Sequence, residues 1–570
     1  MKITLPLLII LVSIIYGLPH IILGAKLGIN YDPLVISVNS PVARDKTFAY
    51  APQTSYVTKG DFFVKDVYVS EYSAYPTPFL GESFPSIIMA LLSTVTNSVD
   101  KAFVVADFIF PPIIFFLLFY IAKMFIKNNF FALSVAALTA VARDFISVIP
   151  NPWATLDYFF HVNNQNYHLF LSRNFHPQVT FIFFLLAFIF LIKVVAYPDK
   201  KIFVIIFGIT FGLLSYSYIF YWTYFLFFYC LVFLYFMFKR NLKILTVLFL
   251  SGSIFLLISS YYFINLYRFY NLPIAADFIL KSSLEGQPFE WTIFRYLFLS
   301  LLFAYIFKKR GDKYAVFFLI MISAVFIAFS SRIILGQDLE TLHYLRRAAM
   351  PFATIGFFII VFFFIEENKR IVTLISSTIL IISLIFALRV QIISTNKISQ
   401  YHVRNIDQEI VFDWLEKNTP TDSVIGSLNT DFNSILPIYS HNKVYFPPTD
   451  RTITPTQEGV TRFAILSNLL GIQVTDQQKM LENKSLVTYL FVYQAYLPGG
   501  RGLSVNSLRN KQAKEKVKEL SSTWQQAINN FKLDYLVITP KELNFIHPNT
   551  IHLQPITSLN QYIVFKAKRI

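Results

Sequence analysis

Residues 179–240 of the chain read VTFIFFLLAFIFLIKVVAYPDKKIFVIIFGITFGLLSYSYIFYWTYFLFFYCLVFLYFMFKR. This stretch contains three long apolar runs, and its charged residues lie almost entirely in the two short segments that follow the first and third runs. A helix of about 20 apolar residues is long enough to cross the hydrocarbon core of a bilayer. The stretch therefore predicts three consecutive transmembrane helices.

The same pattern extends over the first two thirds of the chain. Of its 570 residues, 55% are hydrophobic and 14% are charged, and the mean hydropathy is +0.54. A soluble globular chain carries about 25% charge, so a soluble fold is excluded for this region. The candidate spans are residues 3–24, 102–126, 130–142, 179–191, 202–218, 219–238, 244–266, 291–307, 314–329, 348–365 and 371–388. We expect a polytopic α-helical membrane protein with about 11 transmembrane helices.

The basic residues predict the orientation of these helices. With Lys2 in the cytoplasm, the five short inner connections hold 14 Lys and Arg residues, and the longer outer connections within the membrane region hold seven. Cytoplasmic loops are enriched in Lys and Arg, so this orientation is self-consistent. The same bias accounts for the net charge of +16 without a nucleic-acid partner. The first apolar segment lacks a clear cleavage site and is interpreted as an uncleaved anchor.

An odd number of spans places the end of the chain outside the cytoplasm. We expect a transmembrane region at residues 1–390, with a large first outer loop at 25–101, and an extracytoplasmic soluble α/β domain at 391–570. In the latter, strand-like runs alternate with helix-like runs, which favours a small layered sheet with a structural or acceptor-facing role. The protein is predicted to be integral to the plasma membrane as part of the cell envelope, with a cytoplasmic N-terminus.

The first outer loop holds the candidate catalytic acids. Asp45 precedes a stretch of apolar and aromatic residues that is able to lie along the membrane interface, and Asp66 and Glu71 follow it. A carboxylate at such a surface has the chemistry of a general base for an acceptor hydroxyl. The alternative is that these loop acids are solvated and inert. Asp45 is the first choice, with Asp66 and Glu71 in reserve.

Two groups of residues before later spans are candidate phosphate ligands. They are Arg173, Asn174, His176 and Gln178 in the second outer loop, and Arg346 with Arg347 before the tenth span. A guanidinium matches two phosphate oxygens, so an arginine at this depth suits a phosphate whose lipid tail lies in the bilayer. The alternative is that these arginines only anchor helix ends at the headgroups. His161 and His168 are too loosely spaced to indicate a metal site.

The order of these parts resembles the GT-C class of polytopic membrane glycosyltransferases. The segment Asp45-Lys46-Thr47-Phe48-Ala49-Tyr50 is similar to the acidic start of the first outer loop in that class, and Lys65-Asp66-Val67-Tyr68 with Glu71 resembles its second acidic patch. The resemblance implies an outward-facing enzyme that moves a hexosyl or pentosyl group from a polyprenyl-phosphate sugar donor to an extracytoplasmic acceptor. It further implies a single inverting displacement with Asp45 as the base.

Some properties stay open in the sequence. The chain lacks a clean D-x-D or E-x-D motif in the first loop, so a divalent cation and its metal ligands are left undetermined. Membrane lipid is an expected partner. The competing function is a lipid or glycan transporter, or flippase, without transferase activity. The nearly charge-free spans and the absence of an evident inverted repeat weigh against it, and a non-catalytic scaffold leaves the polar second loop unexplained.

Overall fold

The structure is a computed structural model that describes residues 4–34, 50–141, 169–281, 293–310, 315–329, 343–491, 501–543 and 555–567. Helices predominate, and in chain order they are α1 (Thr4–Leu27), α2 (Ala51–Thr58), α3 (Ser83–Thr96), α4 (Val99–Phe125), α5 (Asn129–Val141), α6 (Thr180–Ala196), α7 (Lys201–Leu214), α8 (Ile219–Phe238), α9 (Leu242–Tyr270), α10 (Ile274–Lys281), α11 (Ile293–Arg310), α12 (Ala315–Phe329), α13 (Met350–Ile365), α14 (Lys369–Ile398), α15 (Ile406–Asn418), α16 (Thr430–Tyr439), α17 (Thr456–Leu469), α18 (Val474–Met480), α19 (Lys484–Phe491), α20 (Arg501–Leu520), α21 (Trp524–Ala527) and α22 (Pro540–Leu543). The strands are β1 (Val424–Gly426), β2 (Lys443–Val444), β3 (Tyr535–Ile538), β4 (Pro555–Leu559) and β5 (Tyr562–Lys566).

The chain forms two compact units. The first, here called the helical unit, comprises Met1–Ala43, Val95–Phe263 and Phe289–His402. The second, here called the mixed unit, comprises Arg44–Thr94, Ile264–Pro288 and Val403–Ile570. The first-loop segment thus groups with the C-terminal part of the chain, although more than 300 residues separate them in sequence.

Long apolar helices confirm the predicted class of polytopic membrane protein with a C-terminal sheet. Within the described residues, eight helices have the length and composition to cross a membrane: Thr4–Asn30, Pro78–Thr96, Val99–Phe125, Phe175–Ala196, Ile219–Phe238, Leu242–Tyr270, Tyr344–Ile365 and Lys369–Tyr401. Seven of these coincide with predicted spans. The other four predicted spans are shorter apolar helices, at Asn129–Val141, Lys201–Leu214, Tyr296–Ile306 and Val316–Ala328.

The helix at Pro78–Thr96 was not predicted as a long apolar helix. It lies in the segment expected to be the first outer loop, and Ser and Thr residues interrupt its apolar run. Its buried face includes Ser86, Met89 and Ala90, whereas Leu91 and Val95 are exposed. Its longest apolar run, residues 87–92, has only six residues, so a search for runs of about 20 apolar residues misses it.

Small residues bring two helices of the helical unit into close contact. Gly208 and Gly212 lie four residues apart on α7, and a Cβ at either position would lie within 2.6 Å of a side-chain atom of α9, on Ile254 or Ile258 respectively. In membrane helices such a spacing of small residues allows close backbone approach and good van der Waals packing. The glycines thus explain how the short α7 packs tightly against α9.

A five-stranded sheet forms the centre of the mixed unit. Its strand order is β2-β1-β3-β5-β4, with β2, β1 and β3 parallel and with β3, β5 and β4 antiparallel. Successive residues of β3 enter two different hydrophobic clusters, as strand periodicity requires: Leu536 and Ile538 pack in one, Tyr535 and Val537 in the other. The mixed parallel and antiparallel sheet with helices agrees with the predicted α/β character.

The first-loop segment is built into this unit. The backbone amide of Val444 in β2 donates to the carbonyl of Tyr68 at 2.7 Å, so the segment covers the edge of the outermost parallel strand. Val64, Val67 and Val69 are buried in the same cluster as β1 and β3 residues. An edge strand covered in this way presents fewer unpaired backbone groups to other chains.

Candidate functional site

Two π-helical turns begin two of the helices in the helical unit. One spans Asn174–Val179 and continues into α6, and the other spans Tyr344–Ala349 and continues into α13. Such turns are rare and occur often at functional sites. They contain five of the predicted phosphate ligands, and Arg173 directly precedes the first turn.

Tyr218 joins the two turns. Its ring stacks on the ring of His176, with centroids 4.0 Å apart and planes inclined by 24°. Its hydroxyl accepts a hydrogen bond of 2.7 Å from Nη1 of Arg347. His176 and Arg347 are both buried, at 2% and 9% exposure. The structure thus brings together two residues that the sequence proposed separately, through a tyrosine that the sequence analysis did not select.

A second polar network starts at the same turn. Gln178 donates through Nε2 to Oδ1 of Asp107 in α4 and to the carbonyl of Leu171. The other oxygen of Asp107, Oδ2, lies 2.7 Å from Nε2 of His20 in α1. Nδ1 of His20 lies 2.6 Å from the hydroxyl of Tyr31. Two chains of polar contacts therefore meet at the turn that carries His176 and Gln178.

These residues lie at one end of the helical unit. His20 is near the end of α1 and Asp107 near the start of α4, while Gln178, Tyr218 and Arg347 immediately precede or begin α6, α8 and α13. Helices that alternate in direction bring the end of one to the start of the next. The contacts across these helices confirm that the polar groups gather at this end.

The remaining predicted phosphate ligands are placed differently. Arg346 is exposed, whereas its neighbour Arg347 is buried. Arg173 is partly buried, and its carbonyl accepts a hydrogen bond of 3.2 Å from the amide of Gln178. Asn174 begins the turn, and its side chain lies outside the described part of the structure. Of the two adjacent arginines, only Arg347 joins the network.

Asp66 belongs to the mixed unit, where it is fully buried. Oδ1 accepts hydrogen bonds from the amides of Tyr68 and Val69, and Oδ2 accepts from the hydroxyl of Thr452 and the amide of Ile453, at 2.5–3.0 Å. Burial raises the pKa of the Asp66 carboxyl, and these hydrogen bonds oppose the rise. With both oxygens engaged, the geometry favours a structural role that ties the first-loop segment to the loop after β2.

Glu71 also lies in the mixed unit, in an ion-pair cluster. Its Oε1 lies 3.1 Å from Nη2 of the fully buried Arg462, which also pairs with Glu458 at 2.8 Å. The amide of Lys532 donates to the same oxygen of Glu71 at 3.2 Å. Asp45, the first choice as catalytic base, lies outside the described residues.

Sequence reasoning did not select His20, Tyr31, Asp107 or Tyr218 as site residues. A signal was present, because an ionisable residue within a transmembrane segment is rare and is often functional. His20 and Asp107 are such residues in α1 and α4. Their partnership is not visible in the sequence, since 87 positions separate them.

The described residues contain no group of three or more His, Cys, Asp or Glu side chains arranged to hold a metal ion. Asp45, Asp144, Asp157 and His161 lie outside the described ranges, so the divalent cation left open by the sequence is not tested by this arrangement.

The chain is similar to several solved structures. No protein-family model matches the chain, and no curated protein sequence matches it. Among solved structures, it is similar to the Archaeoglobus fulgidus oligosaccharyltransferase tethered to an acceptor peptide with an NVT sequon, with a TM-score of 0.44 and 12% identity over 93% of this chain and 69% of that chain. It is also similar to the same organism's oligosaccharyltransferase in complex with Zn and sulfate, with a TM-score of 0.40 and 12% identity over 93% and 68% of the two chains.

TM-scores below 0.5 leave the activity of this chain to be argued from its own residues.

Proposed function

We propose that this protein is a membrane glycosyltransferase that moves a hexosyl or pentosyl group from a polyprenyl-phosphate-linked donor to an extracytoplasmic acceptor. The acceptor class comprises lipids, glycans and proteins. The phosphate of the donor binds at the end of the helical unit where the two π-helical turns lie, and the polyprenyl chain extends among the apolar helices.

The observation that carries this proposal is the state of Arg347. Its guanidinium is buried at the start of a membrane helix, and in the described part of the chain its side chain contacts the hydroxyl of Tyr218 and has no carboxylate partner. A buried cation without a counter-ion is costly, so an arginine retained in such a place indicates an anionic ligand. A phosphate attached to a membrane lipid supplies the charge at the right depth, and guanidinium binds phosphate oxygens in a bidentate manner.

The residues around Arg347 suit the departure of a phosphate. His176 and Gln178 lie in the first turn and Arg173 directly precedes it. Tyr218 links Arg347 to His176. A developing charge on the leaving phosphate is stabilised by donors that are held in place before the reaction. In this proposal Arg347 contacts the phosphate, Arg173 and Asn174 are secondary contacts, and the exposed Arg346 anchors the helix end at the headgroups.

The catalytic base is proposed to be Asp45, with Asp66 and Glu71 as reserves. The contacts of Asp66 and Glu71 in the mixed unit support Asp45, because both reserve acids are engaged by backbone amides or by arginine. A general base contributes about 10²–10⁴-fold to a rate. Asp45→Asn is therefore expected to lower transfer by about that factor and to leave donor binding intact.

The orientation belongs to the same proposal. The distribution of Lys and Arg supports a cytoplasmic N-terminus and an extracytoplasmic C-terminal domain in the plasma membrane. Reporter fusions after Thr419 test this directly. We expect activity from a reporter that works outside the cytoplasm, and a cytoplasmic signal would contradict an outward-facing active site.

The transport alternative is not favoured. A transporter places its coupling groups where they are able to change partners during the cycle, whereas the interior acid Asp107 is held by His20 and by Gln178. One preparation of the purified protein in proteoliposomes is assayed for both transfer and transport.

The experiment supplies labelled polyprenyl-phosphate sugars together with candidate lipid, glycan and peptide acceptors. Transfer of label to an acceptor supports the proposal, and translocation of a fluorescent lipid-linked sugar without transfer supports the transporter. Arg347→Ala is expected to weaken donor binding, with Arg346→Ala as the matched control for an adjacent exposed arginine. Equal donor binding by wild type and both variants would favour the helix-anchor role of these arginines.

A further inference from the structure

Three side chains of the helical unit form a carboxylate–imidazole–phenol array. Asp107 Oδ2 lies 2.7 Å from His20 Nε2, and His20 Nδ1 lies 2.6 Å from the Tyr31 hydroxyl. Both ring nitrogens of His20 therefore have partners at hydrogen-bond distance. Side chains in this order are able to move a proton from the hydroxyl to the imidazole while the carboxylate stabilises the imidazolium.

The partners of Asp107 define the tautomer of His20. An ionised carboxylate only accepts hydrogen bonds, so Nε2 of His20 carries the proton that it shares with Asp107. Nδ1 then presents its lone pair to the Tyr31 hydroxyl. The second oxygen of Asp107 is held by Gln178, whose amide also donates to the carbonyl of Leu171. The carboxylate is thus fixed in orientation, as a positioning group requires.

Tyr31 is the exposed end of the array. Its side chain is only partly buried, whereas Asp107 has 5% exposure. Burial, with the charges of Asp107 and Asp32, raises the pKa of the Tyr31 phenol. The phenol therefore stays neutral, and it accepts a proton only as it gives its own to His20. Among the described residues, the titratable side chain of His402 also lies beside Tyr31, with ring centroids 5.9 Å apart, and its Nδ1 contacts the carbonyl of Asp32.

The array continues into the proposed phosphate site. Asp107 contacts Gln178, which shares a π-helical turn with His176, and His176 reaches Arg347 through Tyr218. One end of this connected network is a proton acceptor, and the other end is a cation. Glycosyl transfer needs both, because the acceptor hydroxyl loses a proton while the phosphate departs with a bonding electron pair.

From this geometry we infer that Tyr31, His20 and Asp107 form a proton relay for an acceptor hydroxyl, so that the acceptor is a hydroxyl-bearing molecule. This inference rests on the proposed glycosyl transfer, and it assigns the acceptor proton to the relay in place of Asp45. A reduced kcat in Tyr31→Phe with wild-type kcat in Asp45→Asn supports the relay, and the reverse result overturns it. As the acceptor oxygen bonds to the anomeric carbon, its proton passes to the Tyr31 oxygen and the Tyr31 proton passes to Nδ1 of His20. The bond from the anomeric carbon to the phosphate oxygen breaks, and the polyprenyl phosphate leaves with the electron pair. The imidazolium stays beside Asp107 until it returns the proton to water.

In this relay Tyr31 is the catalytic residue, and His20 and Asp107 are positioning residues that act through it. Tyr31→Phe removes the hydroxyl and keeps the ring, so it is the least disruptive test. We expect kcat to fall by about 10²–10⁴-fold with little change in the KM for the donor. Tyr401→Phe is the matched control, because Tyr401 belongs to the same unit and is 39% exposed, and it should keep wild-type kcat.

A double variant separates a relay from a structural contact. His20→Gln should lower kcat by a similar factor, and adding Tyr31→Phe to it should cause little further loss, since residues that act as a unit are not additive. Thermal unfolding and donor binding verify that each variant is folded.

The outcomes are distinguishable. A wild-type protein that transfers no sugar to any acceptor overturns the proposed function, and the relay with it. A wild type that transfers sugar, with Tyr31→Phe and His20→Gln both within twofold of Tyr401→Phe, overturns the relay and leaves the proposed function standing. Loss of kcat in Tyr31→Phe and in His20→Gln, with little further loss in the double variant, supports the relay. Transfer only to an amide nitrogen of a peptide contradicts the hydroxyl acceptor.

Discussion

Asp107 in the helical unit and Asp66 in the mixed unit are both buried carboxylates, with 5% and 0% exposure, but their partners differ in kind. Asp107 is held by the side chains of His20 and Gln178. Asp66 is held by three backbone amides and one hydroxyl. Backbone donors fix a loop, whereas an imidazole is able to gain and lose a proton. The partners of a buried acid therefore indicate its role better than its burial does.

The largest expected effect follows from the carboxylate of the helical unit. Asp107→Asn keeps the shape of the side chain but removes the charge that stabilises an imidazolium and selects the His20 tautomer. We expect transfer to fall by about 10²–10⁴-fold. Initial rates with a labelled polyprenyl-phosphate donor measure this, and donor binding should be nearly unchanged. An Asp107→Asn variant with the wild-type transfer rate would show that Asp107 differs from Asp66 in its partners but not in its effect on the rate.

The next effect concerns two adjacent arginines. Arg347 is buried and Arg346 is exposed. Comparing their replacements therefore tests the effect of burial for one residue type. Arg347→Ala should lower kcat/KM for the donor by about 10²–10³-fold, because it removes a preorganised donor from the phosphate. Arg346→Ala should change it by less than about threefold, as for an exposed charge. Equal losses in both variants would argue for a general electrostatic effect of the helix end.

Asp66→Asn tests the structural role of the buried carboxylate in the mixed unit. Replacing one carboxylate oxygen by an amide group leaves at least one buried donor without an acceptor, which costs about 1–3 kcal/mol. We expect a lower unfolding free energy, with unchanged transfer per folded molecule. Asp413→Asn is the control, because that carboxylate is 78% exposed and its nearest cation is 3.9 Å away. Chemical unfolding in detergent measures stability, and a selective loss of kcat in Asp66→Asn would instead support a catalytic Asp66.

The smallest effect concerns a buried cation of the mixed unit. Lys281 is 2% exposed, donates to the carbonyl of Thr454 and lies 3.3 Å from Asp277. Burial lowers the pKa of Lys281, so in the window below its ordinary value of about 10.4 the unfolded chain binds more protons. The contribution of Lys281 to stability therefore rises with pH across that window.

Lys281→Met should remove this part of the pH dependence. The measured quantity is the difference in unfolding free energy between wild type and variant from about pH 7 to pH 10, the upper end of the window set by the ordinary lysine value. The control is Lys417→Met, whose amine is 74% exposed. A difference that does not vary with pH would show that the amine of Lys281 titrates alike in the folded and unfolded chains.

Sequence determined the membrane class, because hydropathy over about 20 residues is a local property that needs no tertiary information. Seven predicted spans are long apolar helices, and the other four are shorter ones. The helix at Pro78–Thr96 was missed for the same reason, since polar residues, proline and glycine limit its longest apolar run to the six residues 87–92. The polar residues before α6 and α13 were also visible in sequence as unusual groups at helix starts.

Tertiary structure alone decided which of these polar residues act together. His20 and Asp107 are 87 positions apart, and Tyr218 and Arg347 are 129 apart, so only the packing of helices brings them within 3 Å. It also decided that Arg347 is buried while Arg346 is exposed, and that Asp66 is enclosed by a loop 386 positions away. Hydropathy fixes which segments enter the membrane, but partner choice depends on rotation and contact between helices, which one-dimensional patterns do not encode.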